Sequence, residues 1–398
     1  MKTPTLLSAL LILGGPMAMA QEPGEKLCGD CQTTGKIAAP HRESVLEREK
    51  DVIYCSYWMD RDPEKLCMDW IVCPKCLTPS VQARAQKEFD LEFSKRKEWL
   101  EKRRAVVDRV TRKECWHVET EHFLLSWNIP EIKVERQVIK LHDAMHLYAE
   151  RAEEVYDKIQ ELVGVTDQQM LGGKINFYML ETQREAKSLA PTVTDLAFGG
   201  TWHTYKVGPD HHESVAWDNP EKVLDDEHRH QYYVHAISHH VFNEVHEGNY
   251  TIWTFKRYGW VYEGLAFHME YLMFGPPKMT CGQETGQSTN YRGKSWEVLV
   301  KKAVLAGEDP PFQEVITRSV DALSDEERRV SWSYIDYLMH LDAKKMPQML
   351  SLMKGPQLPT RDCLKQAYGL SVGQFVDGWK EYVKETYSLR PRKGPLIR

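Results

Sequence analysis

Two histidines lie one helical turn apart in the segment VHAISHHVFNE, residues 234–244. His235 and His239 have the i, i+4 spacing that brings two imidazole nitrogens to within about 2.0–2.1 Å of one ion. A third candidate, Glu263, follows 24 residues after His239 in the segment GWVYEGLAFHMEY. Two histidines and a glutamate are one ligand set of catalytic zinc sites, in which water or substrate takes the fourth position. The sequence therefore predicts a Zn²⁺ site at these three residues.

The residue after the first histidine restricts the chemistry of this site. In zinc peptidases with the H-E-x-x-H pattern, the glutamate at that position is the general base, and this chain has Ala236 there. General acid–base catalysis contributes about 10²–10⁴-fold to a rate, and an alanine side chain cannot transfer a proton. Zinc alone still lowers the pKa of its bound water to about 7 and polarises a carbonyl. Ala236 therefore predicts that efficient peptide cleavage is lost.

The pairing of VHAISHH with WVYEGLA resembles the gluzincin metallopeptidases, specifically the peptidase-MA-like proteins that bacteria export. That family has H-E-x-x-H, then a W-x-x-E-G-x-A helix, then a helical tail, to which SWSYIDYLMHLDAKKMPQML and QAYGLSVGQFVDGWKEYV correspond here. The resemblance covers roughly residues 114–387 and implies an α+β, zincin-like domain with a helical C-terminal half. It also implies that His235, His239 and Glu263 are the zinc ligands and that Ala236 occupies the position of the general base.

The sequence offers further candidates for catalytic residues. Tyr334 and Tyr337 resemble the tyrosine with which some gluzincins stabilise the oxyanion. Glu244, Glu213 and His203 are candidates for a replacement base, although ordinary packing or surface roles explain each of them more simply. None of these five residues has a position that the sequence alone can determine.

Three functional interpretations remain open from the sequence. The first is a zinc-binding but catalytically degenerate peptidase, a pseudoenzyme that binds a peptide or protein. The second is an active zinc metallopeptidase, a hydrolase whose general base comes from outside the H-x-x-x-H motif. The third is a structural relic that binds no metal. Because all three ligand types are kept and only the base is lost, the first interpretation is favoured.

Six of the nine cysteines lie between residues 28 and 76. Four of them form the CxxC pairs of the segments CGDC and CPKC: Cys28, Cys31, Cys73 and Cys76. Two such pairs can hold a second zinc ion through four thiolates, although the 41 residues between them exceed the usual spacing of a zinc ribbon. Disulfides are the alternative in an exported protein, and Cys55 with Cys67 is a further candidate pair. Residues 21–79 are therefore predicted to be a small module that zinc or disulfides cross-link.

The first twenty residues, MKTPTLLSALLILGGPMAMA, have the pattern of a signal peptide. Lys2 precedes an apolar run from Leu6 to Leu13, and Ala18 and Ala20 precede the expected cleavage point. The apolar run is shorter than the roughly 20 residues of a transmembrane helix. We therefore expect an exported protein, periplasmic or secreted, without a transmembrane anchor after cleavage.

The charge balance argues against nucleic acid as a partner. The chain has 52 Lys and Arg against 58 Asp and Glu, which is slightly acidic, whereas a nucleic-acid-binding domain usually presents clustered basic residues. Charged residues at 28% and aromatic residues at 10% are typical of a folded globular protein.

Several elements are predicted to position the site. Residues 80–113 contain strong helix formers without Gly or Pro and predict a charged helix that connects the cysteine module to the domain of residues 114–398. The segment CWHVETEHFLLSW predicts one strand, residues 130–164 predict one helix that ends at Gly164, and KINFYML predicts a strand. ETQREAKSLA predicts a helix that Pro191 ends, and GGTWHTYKVG and ESVAWD predict short strands.

The helices that carry the ligands also have predicted boundaries and contacts. Asn219 as N-cap, with Pro220 in the first turn, predicts the start of the histidine helix. Gly264 predicts a close approach between that helix and the helix of Glu263. Ser371 and Gln374 predict a capping box at the start of a C-terminal helix.

Overall fold

The computed structural model describes residues 28–32, 34–38, 58–60, 70–76, 78–170, 173–198, 203–208, 211–221, 223, 225–245, 257–277, 295–353 and 359–391. These residues form two compact units. The cysteine unit comprises described residues from 28–38 and 70–94, and the main unit comprises residues 58–60 and those from 95 onward. The predicted signal peptide of residues 1–20 and the candidate pair of Cys55 and Cys67 lie outside the described residues.

The cysteine unit is built on a pair of short antiparallel strands. Strand β1 (Lys36–Ala38) pairs with β3 (Trp70–Val72), and helix α1 (Pro79–Thr111) begins six residues after Cys73. Residues 79–94 of α1 belong to this unit and residues 95–111 to the main unit. The helix predicted for residues 80–113 is therefore confirmed with slightly shorter bounds.

The main unit contains a six-stranded mixed sheet. Its strands occur in the order β2-β4-β5-β8-β10-β9, and the central strands β5, β8 and β10 are parallel to one another while the outer neighbours pair antiparallel. A separate hairpin consists of β6 and β7. The bounds are β2 (Trp58–Asp60), β4 (Trp116–Glu119), β5 (Phe123–Trp127), β6 (Glu131–Val134), β7 (Gln137–Lys140), β8 (Ile175–Leu180), β9 (His203–Gly208) and β10 (His211–Trp217).

Helices follow and cover this sheet, and beyond Trp217 the described elements are helical. The mixed α+β class predicted from the sequence is therefore confirmed. Of the helices that the structure describes, none combines the length and apolar character needed to cross a membrane. The bounds are α2 (Leu141–Val163), α3 (Gln183–Thr194), α4 (Asp226–Val245), α5 (Gly259–Phe274), α6 (Trp296–Ala306), α7 (Phe312–Val315), α8 (Asp325–Asp342), α9 (Met346–Leu352), α10 (Thr360–Tyr368) and α11 (Val372–Thr386).

Two segments, each predicted to form one element, contain more than one. The segment of residues 115–127 is two strands, because Thr120 accepts a hydrogen bond from the backbone N–H of Phe123 at 3.0 Å and closes a turn between them. Residues 130–140 form the β6–β7 hairpin, with Glu135 at a φ of 51° in the turn, so α2 begins only at Leu141. Its predicted end at Gly164, which is left-handed at a φ of 69°, is confirmed.

Two predicted helix boundaries were wrong. Pro191 lies inside α3 and does not end it. The histidine helix begins at Asp226, where the Asp225 carboxylate accepts from the backbone N–H of His228 at 2.9 Å. The side chain of Asn219 instead accepts from the N–H of Glu221 and closes a local turn. The capping box predicted at the start of α11 is confirmed.

Gly264 makes a closer contact than the sequence indicated, and with a different helix. A Cβ at this position would lie 2.6 Å from Cγ1 of Ile335 and 2.8 Å from the carbonyl oxygen of Ser331, both on α8. The missing side chain therefore lets α5 approach α8, whereas we predicted an approach to the histidine helix. This contact fixes the helix that carries Glu263.

We expect Gly264→Ala to lower the free energy of unfolding by about 1–3 kcal/mol, because the added methyl group overpacks the α5–α8 contact. Gly373→Ala, in the first turn of α11, is the matched control, since a Cβ there meets nothing within 4 Å. Removing this helical glycine should leave stability unchanged or raise it by up to about 1 kcal/mol. Urea unfolding measures both, and equal stability of the two variants would contradict the proposed contact.

Candidate metal centre

The three residues predicted as zinc ligands converge between α4 and α5. One ligand atom from each of His235, His239 and Glu263 lies within 4.8 Å of those of the other two. Nε2 of His235 is 4.0 Å from Oε2 of Glu263. Metal bonds of about 2.0–2.1 Å at tetrahedral angles separate two ligand atoms by roughly 3.4 Å, so this pair of atoms is about 0.6 Å further apart than in a zinc site. The group is therefore close to the spacing of a metal centre before any ion binds.

Both helices are held rigidly in the core. On α4, the side chains of Val234, Ile237 and Val241 are fully buried, and the helix packs against both α2 and α5. The exposed fractions of His235, His239 and Glu263 are 2%, 0% and 0%. Ligands that are fixed by packing lose little conformational freedom when they bind an ion.

A buried carboxylate orients the first histidine. Nδ1 of His235 lies 2.5 Å from Oε1 of Glu270, so the imidazole donates its Nδ1–H to Glu270 and directs the Nε2 lone pair toward Glu263. Sequence reasoning missed Glu270. Its position seven residues after Glu263, two turns along the same helix face, was the available signal.

Aromatic rings hold the two imidazoles. The ring of His239 stacks on Tyr262, with centroids 3.8 Å apart and planes within 14°. The ring of His235 meets Phe267 edge to face at 5.0 Å. Tyr262 and Phe267 flank Glu263 on α5, so one helix supplies both the third ligand and the rings that orient the other two.

The electrostatics of the group favour a cation. Glu263 and Glu270 both have 0% exposure, and burying negative charge is costly unless positive charge compensates it. The 4.0 Å from Glu263 to Nε2 of His235 is too long for a hydrogen bond, whereas it suits two ligands of one ion. A set of two imidazoles and a carboxylate is compatible with Zn²⁺.

The position expected for the general base is buried and apolar. Ala236 is 2% exposed. Glu270 contacts the Nδ1 side of His235, which faces away from the Nε2 that would bind the ion. It therefore cannot contact a water on that ion while it keeps this hydrogen bond.

The candidates for a replacement base are engaged elsewhere. Glu244 is close to the Tyr156 hydroxyl at 3.4 Å and to Nδ1 of His212 at 4.0 Å, on the sheet side of α4. Glu213 follows His212 on β10 and therefore faces the opposite side of the sheet, where it accepts from Asn176 at 3.3 Å. The side chain of His203 lies outside the described residues.

The two oxyanion candidates lie in an aromatic cluster. The ring of Tyr334 contacts Phe375 and Trp379 at 5.5 and 4.7 Å, and that of Tyr337 contacts Phe375 at 5.6 Å. These contacts join α8 to α11.

Neighbouring histidines on α4 have other surroundings. His240 faces the sheet, with its ring 5.6 Å from Phe177 and 6.2 Å from His212. It is buried rather than at the surface. His230 packs against Phe274, and burial lowers its pKa to about 2.

A second group of metal-ligand type lies in the cysteine unit. Sulfur atoms of Cys28, Cys31 and Cys73 all lie within 4.8 Å of one another, and Cys76 is buried in the same cluster. None of the six cysteines that the structure describes forms a disulfide. A third and partly exposed group consists of Glu121, His122 and Asp167.

Comparisons with known proteins add no family assignment. No protein-family model matches the chain, and no curated protein matches it.

Glu244 generates a pH prediction, because burial raises its pKa to about 7. A carboxyl group with a folded-state pKa above its unfolded value of about 4.3 stabilises the fold at low pH, and this stabilisation is lost as the pH rises to about 7. Glu244→Gln should therefore raise the free energy of unfolding at pH 8 by roughly 2–3 kcal/mol, with a smaller difference at pH 5. Urea unfolding at pH 5 and pH 8 measures this change in the free energy of unfolding.

The matched control is Glu161→Gln, on the exposed face of α2. This variant should follow the parent protein at both pH values. If the stability of the two variants depended on pH in the same way, burial would not be raising the pKa of Glu244.

Proposed function

We propose that this protein is an exported zinc-binding protein whose main unit is a gluzincin-like, zincin-type domain without efficient peptidase activity. The observation that carries the proposal is the convergence of His235, His239 and Glu263 beside Ala236 at the position of the base. The centre binds Zn²⁺ and uses it to hold a peptide or protein ligand.

Zinc is supported by the ligand types and by the group behind them. Imidazole nitrogen and carboxylate oxygen are the ligands of open zinc sites, which keep a fourth position for water or substrate. The contact between His235 and Glu270 at 2.5 Å is the carboxylate–histidine arrangement that fixes a metal-binding imidazole.

Loss of catalysis is supported by what surrounds Ala236. Its methyl group cannot accept a proton from zinc-bound water. Glu270, Glu244 and Glu213 each contact other side chains, which direct them away from the ion. This disfavours the alternative of an active peptidase with a base from outside the motif.

A peptide ligand is supported by the open fourth zinc position and by the edge of the sheet. Zinc polarises and binds a carbonyl or carboxylate oxygen, groups that every peptide offers. Among the described strands, β9 lies at one edge of the sheet and contacts α4. An edge strand can add an extended peptide through main-chain hydrogen bonds.

The first test is the zinc content of the purified mature protein. His239→Ala should lose one zinc ion per chain, because two remaining ligands bind zinc weakly. His340→Ala, which removes an exposed histidine of α8, should keep the parent content. Circular dichroism checks that both variants are folded, and unchanged zinc in folded His239→Ala would refute the site.

The second test restores the base. Ala236→Glu should hydrolyse a mixed peptide substrate at least about 10²-fold faster than the parent, because it supplies general-base catalysis. Ala236→Gln, of similar size and without basicity, should not. A parent protein that cleaves as fast as Ala236→Glu would show that the protein is an active peptidase.

A further inference from the structure

The two CxxC pairs of the cysteine unit are brought together by the pairing of β1 with β3. Cys73 follows β3 directly, and its backbone N–H donates to the carbonyl of Gly35 at 2.8 Å. Each pair forms a tight turn, since Gln32 donates to the carbonyl of Cys28 at 2.9 Å and Cys76 donates to that of Cys73 at 3.5 Å. Sulfur atoms of Cys28, Cys31 and Cys73 therefore lie within 4.8 Å of one another, and Cys76 is buried in the same cluster.

The spacing of the sulfurs distinguishes a metal site from a disulfide. The Sγ atoms of Cys28 and Cys73 are 3.8 Å apart. Two Zn–S bonds of about 2.3 Å at a tetrahedral angle place their sulfurs roughly 3.8 Å apart, whereas a disulfide requires about 2.05 Å. Cys31 joins the same group within 4.8 Å.

Backbone amides point at two of these sulfurs. The backbone amides of Cys31 and Asp30 lower the pKa of the Cys28 thiol. Burial raises the pKa of the Cys73 thiol, and the backbone amide of Lys75 acts in the opposite direction. Amide donors stabilise sulfur that carries negative charge, as a metal-bound thiolate does. Lys75 adds a positive charge beside the group, where it pairs with Asp30 at 2.9 Å.

Among the described residues of the cysteine unit, the buried core is too small to explain the fold without a disulfide or a metal ion. Its buried cluster consists of Cys31, Cys73, Cys76 and Val81, with Cys28 and Ile37 packed against it. Units with so few apolar side chains usually need a disulfide or a metal ion for stability. The cysteine side chains therefore fill the interior of this unit, where a larger unit has a hydrophobic core.

We infer that the cysteine unit binds one Zn²⁺ as a structural ion through four thiolates, those of Cys28, Cys31, Cys73 and Cys76. The ion joins the turn before β1 to the turn that precedes α1, and it closes the tetrahedral shell so that no position is left for a substrate. This site is separate from the proposed function and does not depend on it.

The experiment uses the full mature chain, purified without reducing agent or chelator, and measures zinc per chain. Cys73→Ser should lose one zinc ion. Cys115→Ser, which removes a free and buried cysteine of the main unit, is the matched control and should keep the parent content. Unchanged zinc in Cys73→Ser would overturn the inference.

The His239→Ala background separates this site from the other centre. In that background, Cys73→Ser should remove the zinc that remains. If His239→Ala loses no zinc but Cys73→Ser does, the proposed function fails and the cysteine site stands.

A measurement without a cysteine variant covers the case in which Cys73→Ser does not fold. Cobalt(II) exchanged into His239→Ala should show the intense near-ultraviolet charge-transfer absorption that thiolate ligands give and that imidazole and carboxylate ligands do not. Alkylation with mass mapping should find the four thiols reduced. Bound cobalt without this absorption, or disulfides among the four cysteines, would overturn the inference.

Discussion

Burial of negative charge is the constraint on which the centre between α4 and α5 depends. Glu263 and Glu270 lie on one helix, two turns apart, and both are fully buried. The uncompensated burial of such groups costs several kcal/mol each. Glu270 is compensated by the hydrogen bond to Nδ1 of His235, and Glu263 faces Nε2 of the same ring across 4.0 Å. A divalent cation bound by Glu263 and this nitrogen would add positive charge beside the buried carboxylates.

The rest of the main unit holds this arrangement in place. Helix α5 is buried along nearly its whole length, and Gly264 lets it lie against α8. Tyr262 and Phe267 of the same helix fix the planes of His239 and His235. Because the ligands, their supporting carboxylate and the stacking rings come from two packed helices, the geometry is determined by helix packing rather than by loops.

The sequence predicted which three side chains come together, because the spacing of the two histidines follows from helix geometry. His235 and His239 are recognised from four residues of separation, and Glu263 from a short motif. Glu270 was missed, because its spacing from Glu263 places both carboxylates on one helix face but does not show that Glu270 contacts His235 on another helix. The start of the histidine helix was misplaced since Asn219 and Asp225 both have capping side chains, and only the tertiary fold selects Asp225.

The expected general base is absent from this chain, whereas the expected metal ligands are present. Ala236 removes the group that moves a proton, while the groups that would hold an ion remain together. The most direct test is anomalous X-ray diffraction from crystals of the mature protein, measured on both sides of the zinc absorption edge. We predict a zinc peak bonded to His235, His239 and Glu263. Well-ordered side chains with no zinc peak between them would contradict it.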